Sequence, residues 1–241
     1  MNVAADRNWA HSAQTWRFLL ELGTGWGMFD GDELAGTTVV TPYAGMSAIS
    51  MVLVHSRYER QGIGGKLVSH ALDSGVSCLY ATKFGKPLYE RLGFHSVGQA
   101  TRYSGVWRGG DLNVARPAKE TDLPDIIALD QATFGAERPE MWAKLLDSTW
   151  ISDRGVIAST RNNDTQMIGP VIASSPMHAL ALIAQVADGD VRVHIDNNWL
   201  GHHLDVRGLT PGVSCDLMVR NADEVPGDRS RYFAPVSMAL G

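Results

Sequence analysis

The sequence predicts an α/β (α+β) protein made of two tandem modules, and three observations predict it. Helical and strand-like periodicities alternate along the 241 residues, an Asp-Gly pair joins the first two strand-like runs as a hairpin, and the order of elements restarts near residue 112, just after "RGGDL". The modules are therefore expected at 1–110 and 111–241.

Composition bounds the class. The chain is 44% apolar and 20% charged, enough to bury a core. A net charge of -5 argues against broad nucleic-acid binding, which carries a basic surplus. Cys78 and Cys215 lie far apart in apolar, strand-like contexts, as reduced thiols do. The first residues lack a basic-then-apolar leader pattern, and no apolar run reaches the roughly 18 residues that span a bilayer. The expectation is a cytoplasmic chain with no nucleic-acid or membrane partner.

In order, "SAQTWRFLLELG" reads as a helix capped by Ser12 and stopped by Gly23, with Trp16, Leu19 and Leu20 on one face. "WGMFDGDELAGTTVVTPY" is a hairpin turning at Asp30-Gly31, and "SAISMVLV" a third strand. A glycine-rich turn leads into the helix "GGKLVSHALDSG". "SCLYAT" is a strand, "GKPLYERLG" a short helix and "FHSVGQATRYSGVW" a closing strand pair. The second half reads as the strand "LNVARPA", a helix capped by Thr121 with Pro124 in its first turn, and the helix "RPEMWAKLLDS". Strands "RGVIAST" and "TQMIGPVIAS", the helix "SPMHALALIAQVADG", the strand "VRVHID", the helix "WLGHHLDVRG" and the strand "VSCDLMVR" follow, with "FAPVSMALG" a candidate last strand. Half two opens with a strand, whereas half one has only "MNVAA" before its first helix, so its first strand is short or missing. Trp16 and Trp26 read as core.

The informative stretch is "VLVHSRYERQGIGGKL" at 52–67. Glycine inside a helix costs about 1 kcal/mol against alanine, yet Gly62, Gly64 and Gly65 crowd the start of one. A helix N-terminus offers unpaired N–H groups and the positive end of the dipole, and bare residues let an anion reach them. The glycines read as a phosphate seat. Leu67 breaks the dinucleotide fingerprint, and Arg60 with Leu67 breaks the P-loop.

Glu59-Arg60-Gln61-Gly62-Ile63-Gly64, entered from an apolar strand, resembles the (Arg/Gln)-x-x-Gly-x-(Gly/Ala) loop of GCN5-related N-acetyltransferases (GNATs). "PLYERLGF" resembles that family's second signature. The wider chain is similar to tandem acetyltransferases with a degenerate C-terminal half. The resemblance implies two GNAT-like domains, each a twisted, mixed, mostly antiparallel sheet flanked by helices. It implies acetyl-CoA as co-substrate, in a cleft between two splayed parallel strands. The backbone of Met51, Val52, Leu53 and Val54 would pair with its pantetheine. Glu59, Arg60, Gln61, Gly62, Ile63, Gly64, Gly65 and Lys66 would hold its pyrophosphate. Glu59 departs from the pattern, an anion beside an anion site, which Arg57, Arg60 or Lys66 would offset.

The implied reaction moves an acetyl group to a primary amine by direct attack in a ternary complex. Tyr89 matches the signature tyrosine and is the candidate acid toward the coenzyme sulfur, and it also counts among the coenzyme contacts. His55 has the chemistry of a base, although it stands where the family commonly has a turn proline, which favours a plain loop residue. Trp9, His11 and Tyr43, with Met51, are candidate acceptor contacts for a small-molecule or protein amine, and a homodimer is compatible with this reading. In half two, "ASSPMHALAL" replaces the glycine loop and Leu204 stands where Tyr89 stands, so that half is expected to bind no coenzyme and to support the first. His194, His202 and His203 complete no metal-ligand spacing, and no metal is expected. The alternative is a non-catalytic acyl-CoA-binding or sensing protein of the same fold; a third reading, a partner-binding pseudo-enzyme, has both halves degenerate.

Overall fold

Ser12 starts the first long helix by accepting a hydrogen bond from the Thr15 amide (3.2 Å), which satisfies one of the donors a helix start leaves open, and Gly23 ends it. The computed structural model describes residues 3–7, 11–110 and 112–240. In chain order the first elements are α1 (Val3–Asp6), α2 (Ala13–Leu22), β1 (Thr24–Asp30), β2 (Glu33–Tyr43), β3 (Met46–Val54), α3 (Ile63–Ala71), β4 (Val76–Ala81), α4 (Lys86–Arg91) and β5 (His95–Val106). Then come β6 (Arg116–Pro117), α5 (Leu123–Phe134), α6 (Pro139–Leu145), β7 (Thr149–Ser152), β8 (Gly155–Asn162), β9 (Thr165–Ala173), α7 (Pro176–Val186), β10 (Asp190–Ile195), α8 (Asn198–Asp205), β11 (Thr210–Arg220) and β12 (Tyr232–Ala234).

The chain forms two compact units. One holds residues 1–97, 216–224 and 239–241; the other holds 98–215 and 225–238. In the first, β1, β2, β3, β4 and the end of β11 lie side by side. Among the described pairings in this unit, the β3–β4 pairing is the parallel one. In the second, the order is β5, β10, β9, β8, β7, β6, and among the described pairings β9–β10 is the parallel one. Each is thus a twisted, unclosed, mostly antiparallel sheet flanked by helices, as expected. Strand β5 runs out of the first unit to pair with β10 in the second, whereas β11 runs the other way and pairs Asp216–Arg220 with β4.

Burial accounts for the layering. Helices α3 and α4 cover one face of the first sheet through Val68 and Tyr89, against Ile49, Leu79, Ala81 and Met218. In the second unit α7 and α8 bring Leu182, Ile183, Leu200 and Leu204 against Ile157, Val171 and Val193. Each such side chain contributes about 1.5–3 kcal/mol relative to exposure.

Several local expectations are corrected. The hairpin turns at Gly31-Asp32 rather than Asp30-Gly31, because Asp30 and Glu33 still pair. Residues 95–106 make one long strand, not a strand pair. Thr121 lies in a 3-10 turn, and it is the Asp122 carboxylate that accepts a backbone amide, from Lys119, at 2.8 Å. The "LNVARPA" strand shrinks to two residues. Trp26 is 41% exposed and packs edge-on against His70 on the surface of α3, so it is not core. Among the described residues no strand precedes α2, and none of the helices is long and apolar enough to cross a membrane.

Candidate active site

Strands β3 and β4 pair over three positions only, Met46 with Val76, Ser47 with Ser77 and Ala48 with Cys78. Beyond them the strands separate. β4 continues to Ala81 with β11 on its far side, and β3 continues to Val54 with β2 on its far side. Among the described residues, the edge of β3 that faces β4 past Ala48 therefore carries no strand. Met51, Val52, Leu53 and Val54 form this edge.

A bulge interrupts it. Val39 pairs with Ser50 and Thr37 with Leu53, so Thr38 alone faces both Met51 and Val52. Met51 takes φ 51, a left-handed conformation that costs a non-glycine residue about 1–2 kcal/mol. The side chain of Thr37 donates to the Met51 carbonyl (2.8 Å), and that of Thr38 to the Ser50 carbonyl (3.3 Å).

The glycine turn follows directly. Arg60 (φ 60) and Gly62 (φ 78) are both left-handed, and Gly62 stands at the start of α3 with no side chain capping the helix. Backbone amides in such a turn face outward as a concave donor set. The three glycines differ in what surrounds them. A Cβ on Gly62 would meet nothing within 4 Å, whereas one on Gly64 or Gly65 would stand 3.3 or 3.4 Å from Leu88. Gly64 therefore also eases the approach of Leu88 of α4 to α3, a packing reason the sequence does not show, whereas a Cβ on Gly65 would make ordinary contact there.

Charge around the turn is arranged differently from the expectation. Glu59 is paired by Arg7, and Arg57 is spent on Glu33 at 3.0 Å. Arg60 and Lys66 form no ion pair among the described residues, and Gln61 reaches back to the Arg57 carbonyl. Tyr58, beneath the turn, donates to Asp30 (3.1 Å) and Glu33 (3.0 Å); burial and these two carboxylates push its phenol up to about 12. Asp6 accepts from the Ser56 amide (2.7 Å) and hydroxyl (2.8 Å), which holds its carboxyl below the usual range.

His55 is built into the same turn. Its Nδ1 accepts from the Arg57 amide (3.2 Å) and its Nε2 lies 3.4 Å from Asp6. With Nδ1 accepting, the neutral ring carries its proton on Nε2, toward the carboxylate. The geometry gives His55 a turn-holding job. Tyr89 is buried in α4 beside the split, clustered with Ile49 of β3 and with Leu79 and Ala81 of β4, its ring 6.0 Å from Phe94. Of the acceptor candidates, Trp9 lies outside the described residues. His11 lines an open groove of about 570 Å³ with Trp16, Arg17, Leu20 and Glu21 along α2. Tyr43 donates its hydroxyl to the Leu240 carbonyl (2.9 Å). His11 and Tyr43 are not brought together by this groove. Sequence reasoning missed Arg7, Thr37 and Thr38. The adjacent threonines were visible, but the bulge that gives them meaning was not.

The second unit repeats the plan. β9 and β10 pair in parallel from Gln166 to Ile168 and then separate, and a bulge at Gly169-Pro170 faces Ala158. After α8 the Leu209 amide returns to the Leu204 carbonyl, as the Phe94 amide returns to Tyr89, so Leu204 does stand where Tyr89 stands. Two features differ. Ser175 caps α7 by accepting from the His178 amide (3.3 Å), which occupies one of the helix-start donors. And β12 lies along β9 on the side where β10 has departed, pairing Tyr232 with Ile172 and Ala234 with Val171.

Two family models, each described as an acetyltransferase (GNAT) domain, match residues 21–96 and 126–234. The chain belongs to the GNAT acetyltransferases, in tandem form. It is 29% identical over 224 residues to the uncharacterized N-acetyltransferase YitH of Bacillus subtilis, covering 81% of this chain and 77% of that one. Its fold matches a candidate acetyltransferase from Pyrococcus horikoshii with a TM-score of 0.81 at 20% identity, over 94% of this chain and 84% of the other. It also matches a tandem GNAT protein from the clavulanic acid biosynthesis pathway, with a TM-score of 0.55 at 11% identity, over 81% of each chain.

Proposed function

We propose that the first unit transfers an acetyl group from acetyl-CoA to a primary amine. The observation that carries this is the stretch of bare backbone running from the open edge of β3 into the uncapped start of α3. An extended pantetheine can pair with that edge, and a diphosphate can sit on the amides of residues 60–65 at the positive end of the helix. A bulge amide then polarises the thioester carbonyl, an oxyanion-type contact.

The neutral amine attacks the carbonyl carbon directly. The new C–N bond forms, the C–S bond breaks, and Tyr89 supplies the proton that the departing thiolate takes. In net terms the amine loses one proton and the sulfur gains one. The second unit holds no coenzyme, since its capped helix and the β12 strand take the corresponding places. The committed ring of His55 favours, as a second reading, a unit that binds acyl-CoA without turnover.

Two measurements separate these. Calorimetry with CoA should find one site per chain. Thiol release from acetyl-CoA across a panel of amines should find turnover with at least one, and Tyr89→Phe should lower turnover on the order of a hundred-fold with little change in CoA affinity. Binding without thiol release for any amine leaves the sensing reading; no binding ends both.

A further inference from the structure

We infer that Thr37 and Thr38 are positioning residues for acyl transfer, holding the β3 bulge so that its amide meets the thioester carbonyl at a fixed angle. The inference rests on the acetyl-transfer reading and goes beyond it by naming what aims the carbonyl-polarising group.

A bulge strips part of a ladder of its partners: Met51 has no one-to-one partner on β2, and Ser50 is the last paired residue before it. The carbonyls of Ser50 and Met51 are taken up by hydroxyls from β2, at 3.3 and 2.8 Å. Among the described residues no strand pairs with this segment on the cleft side, so its strand-to-strand hydrogen bonds come from β2, while α3 and α4 pack on its side chains. Met51 holds a left-handed φ of 51 without being glycine, a conformation that persists only where its surroundings over-determine it.

The second unit is an internal control. Its bulge has the same register, two residues facing one, but Ile157 and Ala158 stand where Thr37 and Thr38 stand. That bulge is held by other means. Gly169 takes φ 150 at no cost to a side chain, and the chain at Pro235 packs so close that a Cβ on Gly169 would fall 1.9 Å from the Pro235 carbonyl oxygen. Among the described residues, hydroxyls are seen donating to the bulge carbonyls in the first unit, whereas Ser159 beside the second bulge accepts from Gln166 instead. Thr38 is fully buried, where a valine of the same shape would satisfy packing alone. A polarising donor works only if held in place before the substrate arrives.

The test uses the full chain, with Thr37→Val, Thr38→Val, the double variant and the corresponding serines. The probes are acetyl-CoA carrying carbon-13 at its carbonyl, read by isotope-edited infrared spectroscopy, and unacylated CoA, read by calorimetry. Bound to the parent chain, the labelled carbonyl stretch should move to lower frequency. The double valine variant should lose more than half of that displacement, and its thiol release should fall on the order of ten-fold, while CoA affinity stays within about two-fold. The serines should restore both. Should Thr38→Val fail to fold, Thr37→Val, at a half-buried position, carries the same readout. An unchanged carbonyl displacement in the folded double variant overturns the inference while leaving the coenzyme reading intact. Parallel loss of CoA affinity, carbonyl displacement and melting temperature also overturns it, because that is what a merely structural pair would show. Failure of the parent chain to bind CoA sinks the coenzyme reading and this inference with it.

Discussion

In the first unit β3 and β4 part after Ala48 and the edge beyond is bare; in the second, β9 and β10 part after Ile168 and β12 fills the gap. The same split, with the same bulge beside it, has two ends. An unpaired strand edge inside a fold needs hydrogen-bonding partners from somewhere. One unit leaves that edge without a strand, and the other takes partners from its own chain. Degeneration of the second unit is therefore more than loss of glycines. A strand, β12, takes the hydrogen bonds at the place that, on the acetyl-transfer proposal, the coenzyme takes in the first unit.

That strand is anchored. Tyr232 of β12 accepts from Arg138 (3.2 Å), and Arg138 makes a two-pronged, fully buried pair with Asp130, at 2.9 and 2.5 Å. The guanidinium lies 3.5 Å from the centre of the Phe134 ring, and Arg229 lies 4.5 Å from it. Removing one member of such a pair leaves a buried charge alone. Arg138→Ala should therefore cost about 3–5 kcal/mol in urea unfolding, the largest effect expected here. Arg138→Met combined with Asp130→Leu should cost much less, because both charges leave together. If Arg138→Ala costs under about 1 kcal/mol, the cluster does not anchor β12 and the contrast between the two splits weakens.

The bare end is tested by putting a charge in it. Gly62→Asp adds a carboxylate at the start of α3, where it serves as a helix cap. Aspartate also tolerates the left-handed φ better than most residues. Folding should survive while CoA affinity, measured by calorimetry, drops on the order of a hundred-fold. Gly62→Asn, with the same shape and no charge, should lose far less. If the two variants bind CoA alike, the diphosphate does not sit on this helix.

What was legible in the sequence is what the chain encodes locally. Ser12 and Gly23 bound a helix, Gly62 opens one, and the turn after Tyr89 repeats after Leu204 as a Gly at the same step, Gly93 and Gly208, both left-handed. Tandem GNAT architecture could be read from such punctuation and the order of elements. Partnering could not. Nothing near Tyr232 says that it will lie against Ile172, nothing in "SAISMVLV" marks Met51 as the bulge, and nothing joins β5 to β10 or β11 to β4. These choices are made between segments distant in sequence, and their reward is burial and ladder satisfaction rather than propensity.

Arg7 is the smallest case of the same kind and sets the last prediction. The sequence puts Glu59 beside the anion seat and offers Arg57, Arg60 and Lys66 as compensation, but in the structure the partner is Arg7, 52 residues away. An exposed pair of this sort adds little to stability, and its effect on a nearby anion is also modest. Arg7→Ala should leave melting unchanged and weaken CoA binding about three-fold at low salt, because it uncovers the Glu59 charge. Glu59→Gln should strengthen binding by a similar factor, and in that background Arg7→Ala should have a much smaller effect. All three differences should shrink in 0.5 M salt, where screening acts within about 4 Å. If Arg7→Ala weakens binding equally with Glu59 present or replaced, Arg7 acts on the coenzyme directly rather than by masking the carboxylate.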